Sequence, residues 1–119
     1  MPIANRAWSF HPLVVSGAPE QPGVYALLED DEVVYYGCAV RTSTIQSALL
    51  EILTRVRDGE GGCLQKVTRY SWEITPRPRL REAALLREFE LAHRQLPRGN
   101  QVAAGQPEAA RVAGERRRS

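Results

Sequence analysis

The sequence contains few of the residues that build disulfide frameworks and metal clusters. Its only cysteines are Cys38 and Cys63, and its only histidines are His11 and His93. A zinc site needs several cysteine or histidine ligands at close spacing, which these four residues do not have. The sequence therefore argues against a zinc protein, and both cysteines are predicted to be reduced thiols in a cytoplasmic protein.

Long apolar segments are missing as well. No apolar run approaches the roughly 20 residues that a helix needs to cross a bilayer. Residues 1–10 lack the basic start and the continuous apolar stretch of a signal peptide. We therefore expect a cytoplasmic protein with no membrane partner, and its 119 residues, of which 25% are charged, suffice for one globular domain.

Lysine is nearly absent, since Lys66 is the single example, and arginine supplies the remaining positive side chains. Several arginines crowd the last third of the chain: Arg77, Arg79, Arg81, Arg87, Arg94 and Arg98. Arginine binds phosphate in a fixed bidentate geometry, which suits nucleic acid. A genome rich in G and C produces the same bias, so composition alone supports nucleic-acid binding only weakly.

Two runs rich in β-branched and aromatic residues, 23–28 and 32–36, flank the acidic residues 29–31 and predict a β-hairpin. A three-residue loop would place Tyr25 and Tyr35 on one face of the hairpin. A two-residue turn at Asp30 and Asp31 would instead place Tyr25 opposite Tyr36. Gly37 is predicted to let the chain leave the second strand at a backbone angle that other residues resist.

The remaining segments complete a small domain of the α/β (α+β) class. Residues 44–57 have the apolar spacing of an amphipathic helix, 67–74 the composition of a third strand, and 79–95 that of a second helix. Residues 1–22 are predicted to pack against the domain 23–100 as a short strand or an irregular lead-in. The basic tail 101–119 lacks large apolar residues and is predicted to be disordered.

The second helix carries an acidic residue on its predicted apolar face. A helical wheel places seven apolar residues in one half: Leu80, Ala84, Leu85, Phe89, Leu91, Ala92 and Leu96. Glu88 falls near the middle of that half, where a carboxylate costs several kcal/mol unless something compensates it. It either forms an internal ion pair with Arg81 or another arginine, or binds a hard divalent cation such as Mg²⁺ at the edge of a cleft.

Two motifs at this spacing resemble the GIY-YIG nuclease superfamily. The first is Gly23-Val24-Tyr25 with Tyr35-Tyr36-Gly37, and the second is the leucine-rich turn 82–88 followed by Leu91, Pro97 and Asn100. Together they span about residues 22–100. The resemblance implies a domain with a three-stranded antiparallel sheet flanked by helices. Such a domain hydrolyses phosphodiester bonds of nucleic acid with one divalent metal ion.

The resemblance also implies roles for individual residues. Tyr25 and Tyr35 would order and deprotonate the attacking water, and Glu88 would bind the metal, Mg²⁺ or Mn²⁺. Asn100 matches the structural asparagine of the family near the site. Substrate binding is expected from Gly37, Asn100 and Arg81.

One position departs from the family pattern. The family carries an arginine on its first helix, aimed at the scissile phosphate, whereas this chain has Ala48 there and Ile52 where a histidine is often found. Losing such a charge typically costs on the order of a hundredfold in rate. Either Arg41 or Arg55 replaces the arginine, with Arg41 ranked first because it is closer to the tyrosines, or the protein binds without cutting, or the alanine was introduced to silence an enzyme.

These observations predict a metal-dependent endonuclease that acts on nucleic acid, DNA rather than RNA. The first alternative is a catalytically inactive module of the same fold that binds nucleic acid. The second is a small interaction domain in which Glu88 pairs internally. Substrate specificity would come from loops such as 58–65, from a partner protein or from a second module.

Overall fold

The computed structural model describes residues 6–40 and 42–101 of the chain. They form an α+β domain built around a four-stranded antiparallel sheet. The strands are β1 (Trp8–Ser9), β2 (Gly23–Glu29), β3 (Glu32–Ala39) and β4 (Arg69–Ile74), and their order across the sheet is β1-β4-β2-β3. The helices are α1 (Pro12–Val15), α2 (Ile45–Arg57) and α3 (Pro78–His93), with 3₁₀ turns at Gly62–Leu64 and Arg98–Asn100.

The fold class is the predicted one, and the sheet has one strand more than the three expected. The extra strand is β1, in which Trp8 lies opposite Tyr70 and stacks on Trp72 at 5.5 Å between ring centroids. The lead-in is therefore a short strand followed by a short helix. Within the described part of the chain, no helix is long and apolar enough to cross a membrane. The predicted disorder of the tail concerns residues that, apart from Gln101, lie outside the described ones.

The hairpin of β2 and β3 turns on two residues and contains a bulge. Glu29 lies opposite Glu32, and the intervening Asp30 has the left-handed φ of 57° that such a turn requires. The register then shifts, because Leu28 pairs with Val33 but Leu27 pairs with Tyr35, which leaves Val34 as an extra residue.

This bulge decides which tyrosines share a face. Beyond it, Tyr25 lies opposite Gly37, and Tyr36 lies opposite Ala26 on the other face. The prediction that a two-residue turn would place Tyr25 opposite Tyr36 is therefore wrong, because the extra residue changes the alternation. Tyr25 and Tyr35 instead share one face.

Each face of the sheet has its own helical cover. On the α2 face, buried side chains of the strands pack against α1 and α2: Tyr25, Leu27, Val34 and Tyr70 meet Val15, Ile45 and Leu49. On the α3 face, a smaller cluster packs against α3: Val24, Ala26 and Tyr36 meet Leu85, with Leu86 and Phe89 beside it. The two tyrosines of interest thus lie under α2, on the opposite side of the sheet from α3.

Helix α2 begins where its sequence predicts. The Thr44 side chain accepts a hydrogen bond from the Ser47 backbone, and the Ser47 hydroxyl accepts one from the Thr44 backbone, which forms a reciprocal cap. Buried Ile45 and Leu49 hold the helix on the sheet, and Gly59, with φ of 76°, follows its end.

Helix α3 begins at Pro78, whose missing N–H suits the first helical position. The face that it buries overlaps the predicted apolar half only in part, at Leu85 and Phe89. The side chains toward the sheet are Leu85, Leu86 and Phe89, whereas Leu80 is 62% exposed and Leu91 is 74% exposed. Because the sheet offers α3 a narrow apolar strip, the closely spaced residues 85, 86 and 89 set its orientation, and the other leucines are left outside.

Candidate functional site

Tyr25 and Tyr35 form an aromatic pair on the α2 face. Their ring centroids are 6.2 Å apart and their planes are inclined by 41°. Tyr25 is only 5% exposed, and Tyr35 packs against the same core cluster while keeping part of its surface in solvent. The sequence motif therefore brings two phenols together, one buried and one partly accessible.

Gly37 provides the space for the Tyr25 ring. A Cβ atom at Gly37 would lie 2.5 Å from both Cζ and Oη of Tyr25, well inside van der Waals contact. Gly37 lies within β3, and its φ is not in the left-handed region. The predicted reason for this glycine, an unusual backbone angle, is wrong; it is needed because the phenol rests on its Cα.

Asn100 completes the edge of the sheet. Its Oδ1 accepts a hydrogen bond from the Tyr36 N–H at 2.9 Å, and its Nδ2 donates one to the Tyr36 carbonyl at 3.0 Å. The asparagine side chain thus pairs with edge strand β3 as a neighbouring strand would. This geometry supports the structural role that the resemblance implies, and substrate binding by Asn100 stays a prediction.

Asn100→Ala is expected to lower the free energy of unfolding by about 1–3 kcal/mol, because it leaves the partly buried N–H and C=O of Tyr36 without this partner. Urea denaturation followed by circular dichroism measures the change. Gln101→Ala is the matched control, since the Gln101 amide donates to the Leu96 carbonyl at an exposed position. Equal effects of the two substitutions would contradict the structural role of Asn100.

Glu88 does not point into the core as the helical wheel predicts. It is exposed on α3, so the prediction of an inward carboxylate at this position is wrong. Burial raises the pKa of the Tyr36 phenol, the charge of Glu88 raises it further, and Arg81 lowers it. The tyrosine that Glu88 influences is therefore Tyr36, on the α3 face. The structure thus places Glu88 on the helix that covers one face of the sheet and the pair of Tyr25 and Tyr35 on the other face, and it does not bring the three predicted site residues together on one face.

Arg81 forms a bidentate ion pair with Glu73 of β4. Its Nε donates to Oε2 at 2.9 Å and its terminal nitrogen donates to Oε1 at 3.1 Å. Such a pair fixes the guanidinium plane. Arg81 therefore pairs with a carboxylate that the sequence did not suggest, and a role of Arg81 in substrate binding stays a prediction.

The inward carboxylate of α3 is Glu82, which is not among the residues that the helical wheel places in the apolar half. It accepts a hydrogen bond from the Cys38 thiol at 3.4 Å, and burial raises its pKa, while Cys38 and Arg79 lower it. Burial, and then Glu82, raise the pKa of Cys38 to about 12. The stripe of Leu85, Leu86 and Phe89, continued three residues toward the N-terminus, would have identified Glu82.

Titratable groups from three elements lie near Tyr25. Burial is the main cause that raises the pKa of its phenol well above 10.0, followed by Tyr35, Cys38, Glu82 and Glu51. Its hydroxyl therefore keeps its proton near neutral pH and can donate a hydrogen bond.

Glu82→Gln is expected to stabilise the fold at pH 7 by on the order of 1 kcal/mol, since it removes a desolvated charge and keeps an acceptor for Cys38. A carboxyl whose pKa is raised on folding is favourable below its ordinary value of 4.5 and loses that contribution as the pH rises through its folded value. The gain should therefore vanish at pH 4. Thermal denaturation at both pH values, with Glu90→Gln as control, measures it, and a destabilised variant at pH 7 would contradict the expectation.

The position of the missing arginine is part of the core packing. Ala48 and Ile52 are partly buried against the cluster that contains Tyr25, Ile45 and Leu49. Arg55 lies in the last turn of α2, half-buried. Arg41, the preferred substitute, lies outside the described residues, so its role stays a prediction.

A shallow cleft of about 290 Å³ lies beside Tyr36, between the start of β3 and the end of α3. The cleft is lined by residues that include Phe89, His93, Glu32, Asp31 and Arg98. The two carboxylates at this cleft disfavour a phosphate there. Because Tyr36 and Phe89 lie on the α3 face, this cleft is separate from the tyrosine pair on the α2 face.

The described residues offer few ligands to a hard divalent cation. Within residues 6–40 and 42–101, no group of three His, Cys, Asp or Glu side chains is placed to hold a metal ion. A single exposed carboxylate such as Glu88 fits Mg²⁺, which keeps several of its waters and takes one or two protein carboxylates.

Comparison with known protein families, with curated proteins and with solved structures found no match to this chain.

Proposed function

We propose that this domain is a metal-dependent endonuclease of the GIY-YIG type, which hydrolyses phosphodiester bonds of nucleic acid, DNA rather than RNA. The observation that carries the proposal is the tyrosine pair. Tyr25 and Tyr35 share one face with ring centroids 6.2 Å apart, and Gly37 leaves room for the buried phenol. The two halves of the motif thus depend on each other, because Gly37 of the second half makes room for the Tyr25 ring of the first half. A chance match of the two halves would not require this contact.

Two further observations support the proposal. Asn100, the last residue of the second motif, binds the backbone of Tyr36 in the first motif with both ends of its amide. Glu88 is an accessible carboxylate on α3. The second motif therefore contributes one residue that holds the tyrosine strand and one whose carboxylate is exposed to solvent on α3, the helix that covers the opposite face of the sheet.

The tyrosines would act as hydrogen-bond donors at the site. The pKa of Tyr25 is raised by burial and by nearby acidic groups such as Glu82 and Glu51, so its hydroxyl would donate to a phosphate oxygen or to the attacking water. Partly exposed Tyr35 is the phenol that solvent and substrate reach. Proton abstraction by Tyr25, which the resemblance implies, would require a cation that offsets these negative charges.

Glu88 would hold the divalent cation, Mg²⁺ or Mn²⁺, which when bound neutralises phosphate charge and polarises the leaving oxygen. Arg41 is the candidate for stabilising the negative charge that develops on the phosphate. The cytoplasmic location and a partner protein or second module that supplies specificity belong to the same proposal.

A catalytically inactive module that binds nucleic acid is the second candidate. It is favoured by Ala48, which packs on the core where the family has its phosphate-directed arginine. Such a module would keep the fold and the tyrosine pair while lacking a preorganised charge for the transition state.

Nicking of supercoiled plasmid in Mg²⁺ and in Mn²⁺ separates the two candidates. The parent chain is expected to nick slowly in a reaction that EDTA abolishes, and Ala48→Arg is expected to nick about a hundredfold faster. Ala84→Arg, which adds the same charge at an exposed position of α3, is the control for general DNA affinity. If neither chain nicks, the nuclease proposal is wrong; salt-dependent binding in a mobility-shift assay would then support the inactive module.

A further inference from the structure

The cleft between the start of β3 and the end of α3 has no part in the proposed chemistry. Its volume of about 290 Å³ lies just below the roughly 300–1,000 Å³ of small-molecule sites, so it suits one side chain better than a cofactor. It opens on the α3 face, whereas the tyrosine pair lies on the α2 face. A group bound in this cleft therefore leaves the tyrosine pair accessible.

One wall of the cleft consists of three aromatic rings. The centroids of Phe89 and His93 are 4.1 Å apart with planes inclined by 31°, and Tyr36 meets Phe89 edge to face at 6.3 Å. His93 is exposed at the last residue of α3, while Tyr36 is only 6% exposed. The faces of aromatic rings attract ammonium and guanidinium groups that lie within about 6 Å of the ring centroid. The wall therefore favours a cation.

The buried Tyr36 side chain carries a polar group that the protein leaves unsatisfied. Asn100 binds the backbone of Tyr36, but no residue of 6–40 or 42–101 forms a hydrogen bond with its hydroxyl. A buried hydroxyl without a partner costs free energy. Its oxygen can accept a hydrogen bond, so a ligand that brings N–H donors into the cleft can satisfy it.

The other side of the cleft is acidic. The hairpin turn carries four consecutive carboxylates, residues 29–32. Two of them are paired with arginines: Glu29 with Arg98 and Asp31 with Arg69. Glu32 lines the cleft, is exposed, and forms no ion pair in the part of the chain that the structure describes. Arg98 also lines the cleft, but it is bound to Glu29. Glu32 is therefore the carboxylate that an incoming cation can reach.

We propose that this cleft binds an arginine side chain of a partner protein, which stacks on the aromatic wall and pairs with Glu32. An apolar side chain would desolvate Glu32 without compensating its charge, and the acidic turn repels nucleic acid. Arginine suits the cleft better than lysine, because a planar guanidinium stacks on a ring while it donates to a carboxylate. The inference is independent of the nuclease proposal, and it describes the partner as a basic protein.

A blocked pentapeptide with one arginine between alanines tests the chemistry of the cleft. Titrated into the ¹⁵N-labelled full-length chain, it is expected to shift the amide signals of Val33, Gln95 and Leu96, which line the cleft, with a Kd on the order of 1–10 mM. The same peptide with citrulline keeps the planar side chain without its charge, and it should bind about fivefold more weakly. Equal binding of the two peptides, or no shift with either, would overturn the inference.

Substitutions in the protein locate the binding. Glu32→Gln removes the paired charge and His93→Ala removes the outer ring, so each should raise the Kd of the arginine peptide about three- to fivefold. Asp30→Asn is the matched control, because it removes a charge from the same turn at a residue that does not line the cleft, and asparagine tolerates its φ of 57°. Its Kd should equal that of the parent. An equal loss in Asp30→Asn and Glu32→Gln would mean general attraction by the turn and would refute the cleft.

The basic tail of the same chain is the competing occupant. Its four arginines are replaced by glutamine in a full-length variant: Arg111, Arg116, Arg117 and Arg118. Equal peptide binding by the parent and by this variant would support a partner protein. Peptide binding that appears, or tightens severalfold, only in the variant would assign the cleft to the tail and overturn the partner. None of these measurements involves nucleic acid, so the outcome of the plasmid assay and the outcome at the cleft are decided separately.

Discussion

Glu88→Gln is expected to reduce metal-dependent nicking of plasmid by about a hundredfold or more, because the substitution removes the carboxylate charge assigned to the divalent cation. Glutamine has nearly the same size and similar helix propensity, and Glu88 is exposed on α3, so the fold should not change. The first-order rate of nicking at saturating Mg²⁺ and at increasing Mn²⁺ measures the loss.

Glu90→Gln is the matched control for this experiment. Glu90 is exposed on the same helix and two residues away, so the variant loses the same charge without touching the assigned ligand. Its nicking rate should remain within about twofold of the parent rate, while both variants keep the parent melting temperature. A Glu88→Gln protein that nicks as fast as the parent would remove Glu88 from the site and leave its metal assignment wrong.

The hairpin and α2 were predictable because local chemistry determines them. The acidic residues between two β-rich runs leave few alternatives to a turn, and Thr44 with Ser47 places the start of α2 within one residue. The bulge at Val34 was not predictable, because nothing in the composition of β3 distinguishes a bulged valine from a paired one. That bulge nevertheless decides the face on which Tyr35 lies.

The orientation of α3 shows where sequence patterns fail at the site. The leucines of α3 point in many directions around the helix axis. A helical wheel that weights them equally therefore predicts a core-facing half that contains Glu88 and not Glu82. The sheet accepts only a narrow strip of α3, set by Leu85 and Phe89, and the structure exchanges the two carboxylates. The prediction that Glu88 points toward the sheet was therefore wrong, and the carboxylate that contacts the sheet is Glu82.

For some residues that the sequence singled out, the tertiary contacts differ from the predicted roles. Gly37 was assigned a backbone role, yet it is required by a side chain twelve residues earlier in the sequence. The ion pair of Arg81 with Glu73 of β4 was not predicted either. Both outcomes depend on strand register, which pairs residues far apart in the chain and leaves little trace in local composition.

Gly37→Ala is expected to lower the free energy of unfolding by about 2–4 kcal/mol. The new Cβ would overlap Cζ and Oη of Tyr25 at 2.5 Å and Cε1 at 2.8 Å, and the ring, which is 5% exposed, has little room to move away. The same displacement would move the phenol from its place beside Tyr35, so nicking should fall together with stability. Urea denaturation of the parent and the variant measures the difference.

Two further variants distinguish this clash from a general effect of replacing glycine. Gly17→Ala is the matched control, because its Cβ would meet only the Val14 carbonyl oxygen, at 3.5 Å, and it should change stability by less than about 1 kcal/mol. In a double-mutant cycle, Tyr25→Leu removes the atoms that clash, so Gly37→Ala should cost much less in that background. An equal cost in both backgrounds would mean that the backbone of β3, rather than the Tyr25 ring, requires the glycine. In that case the contact between Gly37 and Tyr25 would no longer explain why both halves of the motif occur together. The main support for a site built on the two phenols would then be lost.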